Sequence, residues 1–156
     1  MLNLPKLIGH RGVKGLSPEN TIDSIDLAKK TGLNWVEIDV KISKDLIPIL
    51  LHDNTLERTA KKKWLPTDHF YKDIKKLDAG YHFYKKSTNI YIPTLQEVLL
   101  FCNKRNINLN IELKPNKGFE KENIKSIIKI LSNMSFNNHY YFSSFDWNSL
   151  IMMKEI

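Results

Sequence analysis

The run Trp35-Val36-Glu37-Ile38-Asp39-Val40 reads as a short β-strand, with apolar and β-branched residues interleaved with two carboxylates. Period-two geometry puts Glu37 and Asp39 on one face and Val36, Ile38 and Val40 on the other. Two like charges held this close in so apolar a run repel each other and lose hydration. A positive charge must stand between them. A divalent cation meets the need in one step, because hard cations take oxygen ligands and neutralise both carboxylates. The alternative is an Arg or Lys paired with one carboxylate while the other is solvated at the strand end. A motif of three residues does not choose between the two, and the choice falls to the rest of the chain.

Upstream, Lys6-Leu7-Ile8-Gly9 predicts a first strand running into His10-Arg11-Gly12. After a loop from Val13 to Ser17, Pro18-Glu19-Asn20-Thr21 opens a helix that Asn20 or Thr21 can cap. Its apolar stripe includes Ile22, Ile25 and Ala28 and stops at Gly32. Downstream of the carboxylates, Ser43-Lys44-Asp45 is a turn, and Ile47-Pro48-Ile49-Leu50-Leu51 is a buried strand ending at His52-Asp53. Residues 54–93 lose the pattern. They form an excursion rich in aromatics and lysines, with one helical turn expected around Ile74–Leu77. Thr94-Leu95-Gln96-Glu97 has the form of a capping box and starts a helix through Val98, Leu99 and Cys102. Asn108 to Lys114 alternates as a strand, Glu120 to Met134 is a helix, Tyr140 to Ser143 is a fifth strand, and Asp146 begins a further helix.

This succession predicts an α/β protein with a parallel sheet and helices outside it, of the TIM-type (β/α) barrel class, offering about five of the eight strands. His10, Arg11, Glu37, Asp39, His52, Glu112 and Lys114 fall at or near the C-terminal ends of four different strands, where such a barrel builds its site.

At 156 residues and 42% hydrophobic content, the chain is read as one domain, 1–156, with enough mass for a real core. The single cysteine, Cys102, excludes an intrachain disulfide and a cysteine-based metal site, and fits a reducing compartment. A cytoplasmic location is expected from the N-terminus alone. Met1 to Lys6 lacks the layout of a signal peptide, and no apolar run reaches the length of a membrane span. A net charge of +7 can attract nucleic acid, anionic lipid head groups or phosphorylated small molecules. There is no zinc-finger spacing and no basic heptad helix, so nucleic acid is not an expected partner. Most of the lysines, including the cluster Lys61-Lys62-Lys63, read as a solvated face, and Arg58 reads the same way.

Gly9-His10-Arg11-Gly12, Pro18-Glu19-Asn20-Thr21, Glu37-Ile38-Asp39 and His52-Asp53, in this order, resemble the signature of the glycerophosphodiester phosphodiesterase family. Ile92-Pro93-Thr94-Leu95, Ile111-Glu112-Leu113-Lys114 and Ser143-Ser144-Phe145 are similar to that family's downstream pattern. The resemblance covers essentially the whole chain, with a family-variable excursion in the middle. It implies a metal-dependent hydrolase on a TIM-type barrel that cleaves glycerophosphodiesters to glycerol 3-phosphate and an alcohol. By the same resemblance Glu37, Asp39 and Glu112 would ligate one divalent ion, calcium or magnesium. His10 and His52 would be the acid/base pair, and Arg11 and Lys114 would hold the phosphate.

The remaining candidates have two readings each. Asp53 orients the imidazole of His52 or opens the following turn. Glu19 braces the site through a hydrogen bond or belongs to the helix start. His69, His82 and His139 read as structural, and the aromatics of the excursion as a lid contact for the alcohol moiety or, the preferred reading, as its own satellite core. A closed barrel of this type has eight strands in roughly 250 residues. Open edges at the first and fifth strands are therefore expected to promote self-association or to take a partner chain. The alternatives to catalysis are an inactive remnant or a module binding anionic lipid or phosphate esters. A phospholipase D-like activity on lysophospholipids, by intramolecular transfer, is a variant of the enzymatic reading.

Overall fold

A computed structural model describes residues 5–155. The readings made over residues 1–4 and Ile156 lie outside the described residues. In chain order the elements are α1 (Ile22–Lys30), β1 (Trp35–Ile42), β2 (Pro48–Leu50), α2 (Glu57–Ala60), a 3-10 turn at Pro66–Asp68, α3 (Tyr71–Ile74), α4 (Tyr81–Tyr84), α5 (Leu95–Arg105), β3 (Asn108–Leu113), α6 (Glu120–Ser132), β4 (Tyr140–Ser143) and α7 (Trp147–Lys154).

The strands form one sheet in the order β2-β1-β3-β4. β1, β3 and β4 are parallel, but β2 runs antiparallel to β1, with Val40 opposite Leu50 and Ile42 opposite Pro48. The expectation of an all-parallel sheet is therefore corrected at β2. The physical reason is the link Ser43–Ile47, since a parallel crossover needs roughly a dozen residues or more. The link closes as a tight turn: the Ser43 N–H donates to the Ile47 carbonyl at 3.0 Å and Leu46 takes a left-handed φ of 58°.

The expected first strand is reduced to one parallel bridge between Gly9 and Val36. Gly9 gives and accepts one backbone hydrogen bond with β1, at 2.9 and 2.7 Å. Leu7 is 72% exposed, so no buried alternation anchors the described residues before the bridge, and the chain turns at once into His10.

Alternation along β1 divides the molecule. Val36, Ile38 and Val40, with Leu109, Ile111 and Leu113 of β3, face the helices and pack on Ile25 and Ala28 of α1, Val98, Leu99 and Cys102 of α5, and Ile127 of α6. Fully burying one such aliphatic side chain contributes roughly 1.5–3 kcal/mol, so this layer fixes which face Glu37 and Asp39 must take. Burial also pushes the Cys102 thiol up to about 12, which suits a packing residue. The excursion closes a second, smaller core of Ile49, Leu51, Leu56, Tyr71, Ile74 and Ile92; of its aromatics Tyr71 and Trp64 pack there, whereas Phe70 and Tyr84 are exposed, which corrects the expectation for those two. It holds three one-turn helices and the 3-10 turn, more than the single turn expected at Ile74–Leu77.

The caps follow local chemistry. Thr21 caps α1 by accepting from the Ser24 N–H, while Asn20 is released for another task. Thr94 and Glu97 form both bonds of a capping box at α5. Among the described residues β4 pairs on its β3 side only. Beside it Phe145 and Trp147 are 92% and 77% exposed. A parallel run of β1, β3 and β4 with helices on its outer face is the arrangement of part of a (β/α) barrel.

Candidate active site

Because period-two geometry continues to the end of β1, Glu37, Asp39 and Lys41 share the sheet face opposite the main core. Parallel register sets Asp39 beside Glu112 and Glu37 beside Asn110. One carboxylate oxygen from each of Glu37, Asp39 and Glu112 lies within 4.8 Å of the others. Burial, then the charges of Asp39 and Glu112, push the Glu37 carboxyl up to about 7.

The surroundings answer part of this charge. Glu37 Oε2 accepts from the Arg11 backbone N–H at 2.8 Å. Asp39 Oδ2 accepts from Asn20 Nδ2 at 2.8 Å, with Arg11 Nε 3.3 Å away. Lys114 Nζ donates to Glu112 Oε1 at 2.7 Å and stands 3.3 Å from Asp39 Oδ1, outside hydrogen-bond alignment. Glu37 Oε1 and Asp39 Oδ1 remain buried without a hydrogen-bond partner. Two orphaned anionic oxygens in one pocket are costly, and together with Glu112 they make an all-oxygen donor set that suits a hard divalent cation. Both sequence alternatives are thus partly present: Arg and Lys flank the cluster, and its inner oxygens stay open.

His10 and Arg11 are carried by a turn that only this sequence of glycines permits. A Cβ on Gly9 would collide with the Gly12 carbonyl, and one on Gly12 with Ser24 of α1, while Arg11 and Gly12 take left-handed φ values of 53° and 79°. The turn delivers the Arg11 N–H to Glu37 and leaves His10 half-exposed, its Nε2 3.9 Å from Glu37 Oε2. Partial burial, then the nearby charges of Lys14 and Arg11, lower the His10 pKa.

A second chain of contacts reaches His52. Its Nδ1 lies 2.8 Å from Asp53 Oδ1. Arg58 donates to both Asp53 oxygens, at 2.7 and 3.0 Å, and to both Glu19 oxygens at 2.7 Å. Arg11 Nη1 donates to Glu19 at 2.9 Å. The Arg58 hydrogen bonds hold Asp53 down at about 2. Burial acts to raise Glu19, but Arg58 and Arg11 outweigh it and hold the carboxyl at about 2. The expectation that Arg58 is merely solvated is corrected: though 44% exposed, it links the partner of one histidine to the partner of Arg11. Glu19 stands between the two arginines and accepts from both.

Arg58→Met is therefore expected to lower kcat about tenfold in any reaction that uses His52, within the range of such supporting partners. KM should change little. Arg58→Lys should not restore the rate, because a point charge cannot make the double fork to two carboxylates. A steady-state comparison of the three proteins checks this; full rescue by lysine would remove the geometric argument.

Sequence reading missed three members of this site. Lys41 is fully buried, donating to Asn54 Oδ1 at 3.2 Å and to the Lys114 carbonyl at 2.9 Å. Burial, then Lys114, push its pKa down to about 8. The signal was available: the strand alternation runs on from Asp39 to Lys41. Asn20 binds Asp39 twice, through its side-chain amide and to the Asp39 N–H. Its competence as a cap concealed this. Arg58 is the third. His69 stacks on Trp64, His82 Nδ1 lies 3.3 Å from the Ala79 carbonyl, and His139 is exposed, all away from the cluster's contacts. A cavity of about 420 Å³ opens beside Glu112 and Lys114, with Asn54 and Phe145 in its wall. A larger one, about 740 Å³, lies between the β1–β2 turn and α6 and contains none of these residues.

Comparison with known proteins finds relatives along nearly the whole chain. A glycerophosphodiester phosphodiesterase of Bacillus altitudinis is 33% identical over 98% of this chain and 63% of its own length. The structure of an Oleispira antarctica phosphodiesterase in complex with the product sn-glycerol-3-phosphate is 38% identical, with a TM-score of 0.93 over 98% of this chain and 62% of that one. A glycerophosphodiester phosphodiesterase from Agrobacterium tumefaciens is 27% identical, with a TM-score of 0.84 over 98% and 63%. The chain thus spans somewhat over three-fifths of the length of these relatives. Among the described residues no helix is long and apolar enough to cross a membrane. The model of the glycerophosphoryl diester phosphodiesterase family matches residues 10–156, and the chain belongs to that family.

Proposed function

We propose that the chain carries a metal-dependent glycerophosphodiester phosphodiesterase site that releases glycerol 3-phosphate and an alcohol. The observation that supports it most is the buried Glu37–Asp39–Glu112 cluster with two unpartnered oxygens, flanked by His10, Arg11 and Lys114. Glu37, Asp39 and Glu112 would hold one divalent ion, calcium or magnesium, which when bound supplies charge neutralisation at the phosphodiester. Arg11 and Lys114 bind the phosphoryl oxygens, adding the preorganised positive charge that is usually the largest catalytic term. The nucleophile is water, or the substrate's own glycerol hydroxyl, in which case the first step leaves a cyclic phosphodiester that water opens to glycerol 3-phosphate in a second step. As it bonds to phosphorus, one histidine takes its proton, the bond to the departing alkoxide breaks, and the other histidine protonates that oxygen. His52 acts through Nε2, because its Nδ1 is engaged by Asp53. Lys41 holds the Lys114 backbone and Asn54 in register with β1.

The domain reading carries over as 1–156 with its excursion at 54–93. The edge of β4, which among the described residues pairs on its β3 side only, and the apolar groove of Leu131, Tyr140, Phe142 and Met153 are read as a self-association surface. Glycerol 3-phosphate release is measured from a glycerophosphodiester with calcium or magnesium and with chelator, across protein concentrations whose association state is followed by sedimentation. Turnover that needs the metal and falls roughly 10²–10⁴-fold in His10→Ala supports the reading. Folded protein that binds phosphate esters but releases no product at any association state leaves the binding module instead.

A further inference from the structure

The chain's positive charge is unevenly spread. Residues 54–93 contain eight lysines and Arg58 against Glu57, Asp68, Asp73 and Asp78, so about a quarter of the chain holds five of its seven net charges. The lysines alternate with exposed apolar side chains. Phe70 is 45% and Leu65 40% exposed. The Phe70 ring lies between Lys44 Nζ at 5.2 Å and Lys72 Nζ at 5.5 Å. Trp64 stacks on His69 at 3.9 Å, and Lys62 Nζ lies 5.6 Å from the indole. The Lys44 N–H donates to the His69 carbonyl at 3.0 Å, tying the β1–β2 turn to this face. Asp73 is already paired with Lys76, and Asp68 is the one acidic residue between Lys61 and Lys72.

We propose that this face, Lys44, Lys62, Leu65, Phe70 and Lys72, docks on the surface of an anionic bilayer. Basic side chains gain from the negative surface potential, by about fivefold in affinity per lysine. Aromatic rings favour the head-group level, where their apolar body and the wet surface are both accommodated. Exposed leucine and phenylalanine between the lysines fit a lipid surface better than a nucleic-acid backbone, whose contacts are polar. The face stands beyond the C-terminal end of β1, the end toward which Asp39 and Lys41 lie, so docking would hold the site close to head groups. The inference rests on the proposed reaction only for that purpose; the docking itself needs no turnover.

The test is co-sedimentation of the full chain with phosphatidylcholine vesicles, with and without phosphatidylglycerol. Binding should require phosphatidylglycerol and weaken as salt is raised. The triple variant Lys44→Glu, Lys62→Glu, Lys72→Glu should lose about a hundredfold or more, since each reversal removes at least one lysine's contribution. Phe70→Ser should lose several-fold with no change in net charge. Lys104→Glu, Lys121→Glu, Lys129→Glu together change net charge equally on α5 and α6 and should lose far less, with all variants keeping the wild-type unfolding midpoint. Equal loss in both triples, equal binding to neutral vesicles, or tighter binding to single-stranded RNA than to vesicles would overturn the proposal. Turnover of a water-soluble glycerophosphodiester without vesicle binding sinks the docking alone, and vesicle binding without turnover sinks the reaction alone.

Discussion

Glu37→Gln is expected to raise the stability of the metal-free chain at about pH 8 by about 3 kcal/mol and to abolish its stabilisation by calcium or magnesium, the shift of the carboxyl being worth about 1.4 kcal/mol per unit. Burial first, then Asp39 and Glu112, hold the folded-state pKa of Glu37 at about 7, above its ordinary 4.5. The folded state therefore binds this proton more tightly than the unfolded one. Its contribution is fully present below pH 4.5 and is lost as the pH rises through about 7. The amide has the same shape, still accepts from the Arg11 N–H, and carries no charge to bury. A divalent ion reverses the sign for the wild type, because it favours the ionised carboxylate and binds only the folded cluster. At a hundred times its dissociation constant it adds about 2.7 kcal/mol. Urea unfolding with chelator and with excess metal measures all four values. Equal stabilisation of the two proteins by metal would place the cation elsewhere, and a less stable metal-free Glu37→Gln would show that Arg11 and Lys114 already neutralise the cluster.

Strand alternation made the centre of the fold readable. Once Val36, Ile38 and Val40 were assigned to the core, Glu37 and Asp39 had to share the other face, and the same alternation in Asn108–Leu113 brought Glu112 beside them. Capping chemistry was equally local, and Thr94 with Glu97 behaved as their spacing predicts. What local patterns could not carry was long-range pairing. The direction of β2 depended on the length of a turn, and the first strand on whether Leu7 had anything to pack against. Arg58 shows the same limit at the site. On sequence it is one more cation near a lysine cluster, and two of its four bonds exist because the fold brings Glu19, 39 residues earlier, against it. Asn20 and Lys41 had legible signals, a cap-competent side chain and a continuing period of two, but each signal has a common structural use that contact with Asp39 or Lys114 overrides.

His52→Ala should reduce kcat for glycerol 3-phosphate release by roughly 10²–10⁴-fold, the usual worth of a positioned acid or base, with KM near the wild-type value. The imidazole stands at the end of a fixed chain, Nδ1 on Asp53 and Asp53 on Arg58, so Nε2 is aimed without contributing to ground-state binding. Loss of a group that acts only on the moving proton lowers kcat and kcat/KM together. Asp53→Asn separates aim from chemistry. Its remaining oxygen can still accept from Nδ1, but one Arg58 fork and the charge beside the imidazole are gone. The expected loss is about ten- to a hundredfold, as for other partners that orient a catalytic ring. Combined with Arg58→Met, the double variant should fall little further than Asp53→Asn alone, because both changes cut the same link. Fully additive losses would mean that Arg58 acts through Glu19 and Arg11 on the phosphate rather than through His52. A His52→Ala protein with unchanged kcat would take His52 out of the reaction and leave the proton transfers to His10 and solvent.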